Sequence, residues 1–114
     1  YQGYGIDWRE AGPRYAEAEE IMLRAWTSPD GFRHKGQFWD LSVHGLRPAC
    51  YTRPHPVVLR AASSEEGALH LAQRGLPFMM NVQSLAVTQQ RLAAYRAALG
   101  AAGHTEARIA QCMD

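Results

Sequence analysis

Ser63 and Glu66 stand three residues apart, directly after the apolar run Val57-Val58-Leu59-Arg60-Ala61-Ala62. That is capping-box spacing: a serine hydroxyl accepts from a first-turn amide while the glutamate reaches back to the serine's own amide. A helix opened this way behind a strand aims its free first-turn amides at the carboxyl end of a sheet, the side on which α/β proteins bind ligands. Those amides, the hydroxyls of Ser63 and Ser64 and the positive end of the helix dipole suit a phosphate group. The same residues also make an ordinary well-capped helix, and Glu65 and Glu66 oppose an anion unless both turn outward. The spacing alone leaves both readings open.

Other reactive side chains are scattered. His34, His44, His55, His70 and His104 show no i, i+4 pair and no cysteine neighbours in a ligand pattern, so no metal site is expected. His34, beside Lys35-Gly36, reads as a hairpin residue, and His70 as an exposed helix residue. No Ser-His-Asp or Cys-His arrangement and no Walker or Rossmann glycine pattern is visible. Arg60 is anomalous inside an apolar strand, because a buried charge needs a partner. It either lines a barrel interior or pairs with a carboxylate outside this sequence.

Pro13 opens the first helical pattern, with Tyr15, Ala18, Met22 and Ala25 at spacings of three and four and Ile21 and Trp26 widening the stripe. Tyr15, Met22 and Trp26 are expected in the core. Ser28-Pro29-Asp30-Gly31 ends this helix, and residues 1–12 before it read as a loop. Residues 32–43 carry a Lys35-Gly36 turn between short aromatic segments, which predicts a hairpin. Pro48, Pro54 and Pro56 make residues 45–56 an extended connector. Residues 57–62 then read as a parallel strand buried on both faces. A helix follows through Ala68, Leu69, Leu71 and Ala72 to Gly75, and Leu76-Pro77-Phe78-Met79-Met80-Asn81 is a second strand. Leu85, Leu92, Tyr95 and Leu99 mark a third helix, and residues 109–113 are expected to begin another strand. This alternation means α/β with parallel strands and right-handed crossovers.

Composition is that of a globular protein: 114 residues, 46% hydrophobic, 20% charged. A net charge of +1 gives no pull toward nucleic acid or anionic membrane, and no apolar run approaches the roughly 20 residues of a membrane span. Cys50 and Cys112 stand alone and no signal peptide is visible, which predicts a reduced, cytoplasmic setting. The first residue is Tyr1, not Met, so the chain is expected to begin partway through a longer protein.

Four segments in fixed order resemble the bacterial luciferase family of flavin-dependent monooxygenases. They are Arg14-Tyr15-Ala16-Glu17 through Leu23-Arg24-Ala25-Trp26, then His34-Lys35-Gly36-Gln37-Phe38-Trp39, then Arg53-Pro54-His55-Pro56, and the strand–helix–strand from Val57 to Pro77. The resemblance runs from about Tyr4 to Met113. It implies a partial (β/α)8 TIM-type barrel, truncated at both ends, with residues 1–114 as the central piece of a single domain. It implies an oxidoreductase that uses reduced FMN and molecular oxygen on an organic substrate, with a flavin reductase supplying the reduced flavin and a homo-oligomeric full-length protein. F420-dependent reductases of the same superfamily, and a non-catalytic flavin-binding subunit, are the alternatives. Ser63 and Ser64 match the family's phosphate-contacting pair, with Ala62 before them. Gly67 falls where some members carry a hydroxyl, and Asn81 ends the strand that lines the flavin cavity. The catalytic residues are expected before residue 1.

Overall fold

Residues 2–113 are described by a computed structural model. Tyr1, within the expected N-terminal loop, and Asp114 lie outside the described residues. The chain divides into two units, Tyr1–Val57 and Val58–Asp114.

The N-terminal unit is a helix and a hairpin. Two short 3-10 turns, Gln2–Tyr4 and Trp8–Glu10, occupy part of the expected loop, and helix α1 spans Ala11–Thr27. Pro13 falls inside its first turn, where the missing N–H costs nothing because that turn has no intrahelical acceptor. Ser28 leaves helical geometry at φ −114°, ψ 84°, ahead of Pro29, as proline requires. Strands β1 (Phe32–Lys35) and β2 (Asp40–Val43) pair antiparallel in the predicted hairpin, with Phe32 opposite Val43 and Lys35 opposite Asp40. Arg33 bridges the strands to Asp40 and, at 3.1 Å, to the Ser42 hydroxyl.

Here the expected core stripe of α1 is not buried. Tyr15 is 56% and Met22 39% exposed, and Trp26 is half-buried against the His55 ring at 5.9 Å. Helical periodicity identifies residues that share a face; it does not say that this unit supplies the cover. What α1 does give the hairpin is Glu17, whose carboxylate accepts from the backbone of the turn. Arg14 and Arg24 add cation–π contacts, 4.4 Å above the Phe38 ring and 4.2 Å above Phe32.

The C-terminal unit is a strand–helix–strand–helix–helix. Strand β3 (Arg60–Ala62) pairs with β4 (Phe78–Met80) in parallel, joined by α2 (Glu65–Gln73). Both strands are shorter than expected. Val57 and Leu59, 84% and 52% exposed, fall outside β3, since a strand extends only as far as its hydrogen-bonding partner and the partner here is three residues long. Helix α3 spans Leu85–Ala101, close to the prediction.

Residues 109–113 are not a strand. They lie in helix α4 (Glu106–Met113), which opens on Thr105, whose hydroxyl accepts from the Arg108 amide at 3.3 Å. Ile109 and Cys112, three apart, face one way and pack with Ala72, Tyr95 and Leu99. A five-residue apolar segment does not distinguish period two from period 3.6, and tertiary packing decided.

Two left-handed glycines shape this unit. At the end of α2, Gly75 (φ +61°) donates to the Ala72 carbonyl and Leu76 to that of Leu71, a Schellman motif. Gly103 (φ +82°) repeats the motif after α3. The Gly75 carbonyl then accepts from Arg108 Nε at 2.9 Å and from the Cys112 thiol at 3.4 Å. Just beyond, Tyr95 donates its hydroxyl to the Leu76 carbonyl at 2.7 Å, and its ring meets Phe78 edge-on at 4.8 Å. Burial, reinforced by Cys112, pushes the Tyr95 phenol above its ordinary pKa, so it remains a neutral donor.

In the full-length protein, Tyr95→Phe keeps the ring and deletes the bond, and should cost about 1–1.5 kcal/mol in denaturant unfolding. Gly75→Ala should cost more. Its left-handed backbone alone is worth about 1–2 kcal/mol against a side chain, and its Cβ would lie 2.6 Å from the His104 ring. Adding His104→Ala should return only the steric part, measured as a partial recovery of the denaturation midpoint.

Candidate functional site

A parallel ladder makes one sheet edge out of two separate strand ends. Ala62 pairs with Met80, so Ser63 and Asn81 are the next positions on the same edge. Both are exposed, as is Ser64. Helix α2 begins just beyond that edge at Glu65, and α3 begins at Leu85, four residues after Asn81, each start carrying the positive end of its helix dipole. The structure thus brings Asn81 beside the consecutive residues Ala62, Ser63 and Ser64 across the parallel ladder.

The cap differs from the one expected. Ser63 does not cap α2 and Glu66 does not complete a box. The N-cap is Ser64, whose Oγ accepts from the Gly67 amide at 3.1 Å, while its carbonyl accepts from Ala68 at 3.2 Å. The chain stays extended through Ser64 (φ −108°, ψ 157°), so the helix starts one residue later and its third position is a glycine. Gly67 fits closely: a Cβ there would lie 3.1 Å from Ser64 Oγ and 3.6 Å from the Ala62 Cβ. Ser63 is left uncommitted to the cap, and the amides of Ser64, Glu65 and Glu66 have no acceptor within the helix.

Glu65 and Glu66 are both exposed and, with Leu69, His70 and Gln73, line an open depression of about 480 Å³ along the flank of α2. His70 is exposed, as the sequence predicts. On α3, Ser84 is the cap, its Oγ accepting from Val87 at 3.4 Å, and the first turn carries no acidic residue.

The faces of the strand pair divide the other candidates. Arg60 and Ala62 are buried while Ala61 between them is exposed; on β4, Met79 is 53% exposed between two half-buried residues. Ala62 sends its side chain under α2, into a cluster with Ala68 and Leu71. It offers the edge its backbone alone. Arg60 is 8% exposed and donates through Nη1 to the Val58 carbonyl at 3.3 Å. The open face therefore carries Ala61 and Met79, paired in register. The period of two over residues 78–80 accounts for this, with Met79 on the face opposite to Phe78 and Met80.

Among the described residues no group of three or more His, Cys, Asp or Glu side chains is placed to hold a metal, and no helix is long and apolar enough to cross a membrane.

The profile of the family described as luciferase-like monooxygenase matches residues 1–113. Among solved structures, the monooxygenase RslO1 from Streptomyces bottropensis superposes with a TM-score of 0.65 at 28% identity, over 91% of this chain and 32% of that one. The chain thus spans about a third of the length of that relative. No match was found among curated proteins. With the family profile covering nearly every residue and a strand–helix–strand of the matching kind, the chain belongs to the luciferase-like monooxygenase family.

Proposed function

We propose that this chain is the central part of a (β/α)8 barrel whose full-length protein oxidises an organic substrate with molecular oxygen, using reduced FMN supplied by a separate reductase. The observation that carries the reading is the shared edge: Ser63, Ser64 and Asn81 stand together where α2 and α3 begin.

The residues suit the phosphate end of that cofactor by the chemistry of their donors. Two exposed hydroxyls and first-turn amides without an intrahelical acceptor offer hydrogen bonds to an anion at a helix N-terminus. Glu65 and Glu66 lie along the helix flank and are solvated. With Gly67 in place of a hydroxyl residue, the phosphate has one contact fewer from this chain than in members that carry one.

In this reading Ser63 Oγ and the amides of Ser64 and Glu65 hold phosphate oxygens, and the Ala62 backbone sets where the serines begin. Asn81 presents a carboxamide that orients a ring edge or a substrate oxygen. Ala61, with its small side chain, and Met79, with an apolar one, form a wall that excludes water from the reacting end. Bound flavin would supply the electron transfer to oxygen; the protein's part is binding, orientation and dryness.

Ser64→Asp tests the phosphate assignment cleanly, because aspartate is as good an N-cap as serine and the helix survives. In the full-length protein it should weaken FMN binding about tenfold or more, the effect of one unfavourable charge worth about 1.4 kcal/mol or more. Riboflavin, which has no phosphate, should bind nearly as before. Equal losses for both would refute the assignment, and binding of F420 with no binding of FMN would move the protein to the hydride-transferring branch.

The barrel itself is tested by isolating this piece. Val57, Leu59, Met79, Val82 and Leu85 are exposed, and β3 and β4 form a two-stranded sheet with both outer edges open. Expressed alone, residues 1–114 should aggregate or melt without cooperativity; a sharp thermal transition in a monomeric sample would contradict a barrel fragment.

A further inference from the structure

Between β1 and β2 the chain turns through Gly36, Gln37, Phe38 and Trp39. Gly36 donates to the Trp39 carbonyl at 2.8 Å and closes the turn. That leaves three successive amides, of Gln37, Phe38 and Trp39, on its concave side. All three donate to one group, the carboxylate of Glu17 on α1: Gln37 and Phe38 to Oε2 at 3.1 and 3.0 Å, Trp39 to Oε1 at 3.1 Å. His34 Nε2 lies 2.9 Å from Oε1. An ionised carboxylate only accepts, so His34 presents its Nε2 proton. The Glu17 side chain is 11% exposed and that of His34 5%. Converging backbone amides of this kind form an anion nest. Gly36 is part of the fit, since any Cβ there would collide with Glu17 Oε1.

We propose that this turn is a carboxylate-binding nest with Glu17 as its resident anion, and that the ionised side chain is a latch whose protonation releases the hairpin from α1. The bonds are charge-assisted, the strong kind, and every one of them is lost or weakened when Glu17 gains a proton. The latch also positions Trp39, which with Ala18, Ile21, Met22 and Leu41 lines an apolar cleft of about 250 Å³ between α1 and β2. Releasing the turn would dissolve that cleft.

Among the charged side chains of α1, β1 and β2, His34 is the one in contact with the carboxylate. Arg14, one turn away on α1, pairs with Glu10 at 2.8 Å, Arg33 on β1 pairs with Asp40 on β2, and Glu19 is buried elsewhere along α1. Burial pushes the Glu17 carboxyl up, but His34 and the amides of Phe38 and Trp39 together pull it further down, below the ordinary 4.5. A depressed acid contributes its full stabilisation above the ordinary value and loses it as pH falls through the lower folded one.

Hydrogen exchange of the full-length protein, corrected for intrinsic rates, reads the latch directly. At neutral pH, Glu17→Gln and Glu17→Ala should each lower protection of the Gln37, Phe38 and Trp39 amides about tenfold or more, as expected when charge-assisted bonds are removed. Sodium formate should restore protection in Glu17→Ala, where the nest is vacant, and not in Glu17→Gln, where the carboxamide fills it. Gly36→Ala should loosen the same amides from the other side with the carboxylate intact. In the unaltered protein these amides should lose protection below the ordinary glutamate pKa, before those of β3 and β4 do. Undiminished protection in Glu17→Gln, formate having no effect on Glu17→Ala, or hairpin and β3–β4 amides failing together in acid would each overturn the proposal.

Discussion

The corner at Gly75 is the constraint on which the C-terminal unit rests. Parallel strands demand a crossover, and the crossover must reverse direction sharply after α2 for β4 to come back alongside β3. A left-handed residue at position 75 makes that reversal within two hydrogen bonds. The carbonyl it exposes would be an unsatisfied acceptor in a packed interior; Arg108 and Cys112 satisfy it from α4, and Tyr95 satisfies the next one, on Leu76. Helix α4 therefore does two jobs at once, supplying Ile109 and Cys112 to the core and donors to the corner. With the corner fixed, the register of β3 against β4 follows, and with it the neighbourhood of Ser63 and Asn81.

The N-terminal unit is organised differently. Among its described residues the buried ones are the ionisable Glu19 and His34, not apolar side chains. Its helix and hairpin are joined by a carboxylate in a ring of backbone donors and by guanidinium groups over aromatic rings. Such contacts are directional, so they fix orientation more strictly than an apolar seam of the same area would.

Much of this was legible in the sequence. Proline and glycine marked the end of α1, the hairpin turn and the end of α2, because each restricts the backbone locally whatever packs around it. The run from Val57 to Asn81 announced a strand–helix–strand, and the order of four segments announced the family. The departures arise where the deciding information is not local. The cap of α2 shifted from Ser63 to Ser64 because strand geometry persisted one residue further than the spacing implied. Residues 109–113 became helical because α2 and α3 offered a groove for Ile109 and Cys112. Tyr15 and Met22 stay exposed because the hairpin, through Trp39 and Leu41, covers only part of their stripe. Glu17 stands close to Glu19 and Glu20 in the sequence, and no local pattern tells a solvated glutamate from one aimed at a turn twenty residues on. Of the proposed site, the serines and Asn81 could be named from the family resemblance, but their common edge could not be seen until the register was known.

That common edge has a kinetic side as well. Arg60 pairs with Phe78 and Ala62 with Met80, so the two strand ends that carry Ser63 and Asn81 are joined by one short helix and a tight turn. Closing so short a loop costs little chain entropy, and contacts between residues close in sequence form early relative to those that must wait for distant segments. A ligand site split across remote parts of a barrel would come into being only when the barrel closes. The part of the proposed site that carries Ser63 and Asn81 lies within a single uninterrupted stretch of chain, so their neighbourhood is decided by the same local event that pairs β3 with β4.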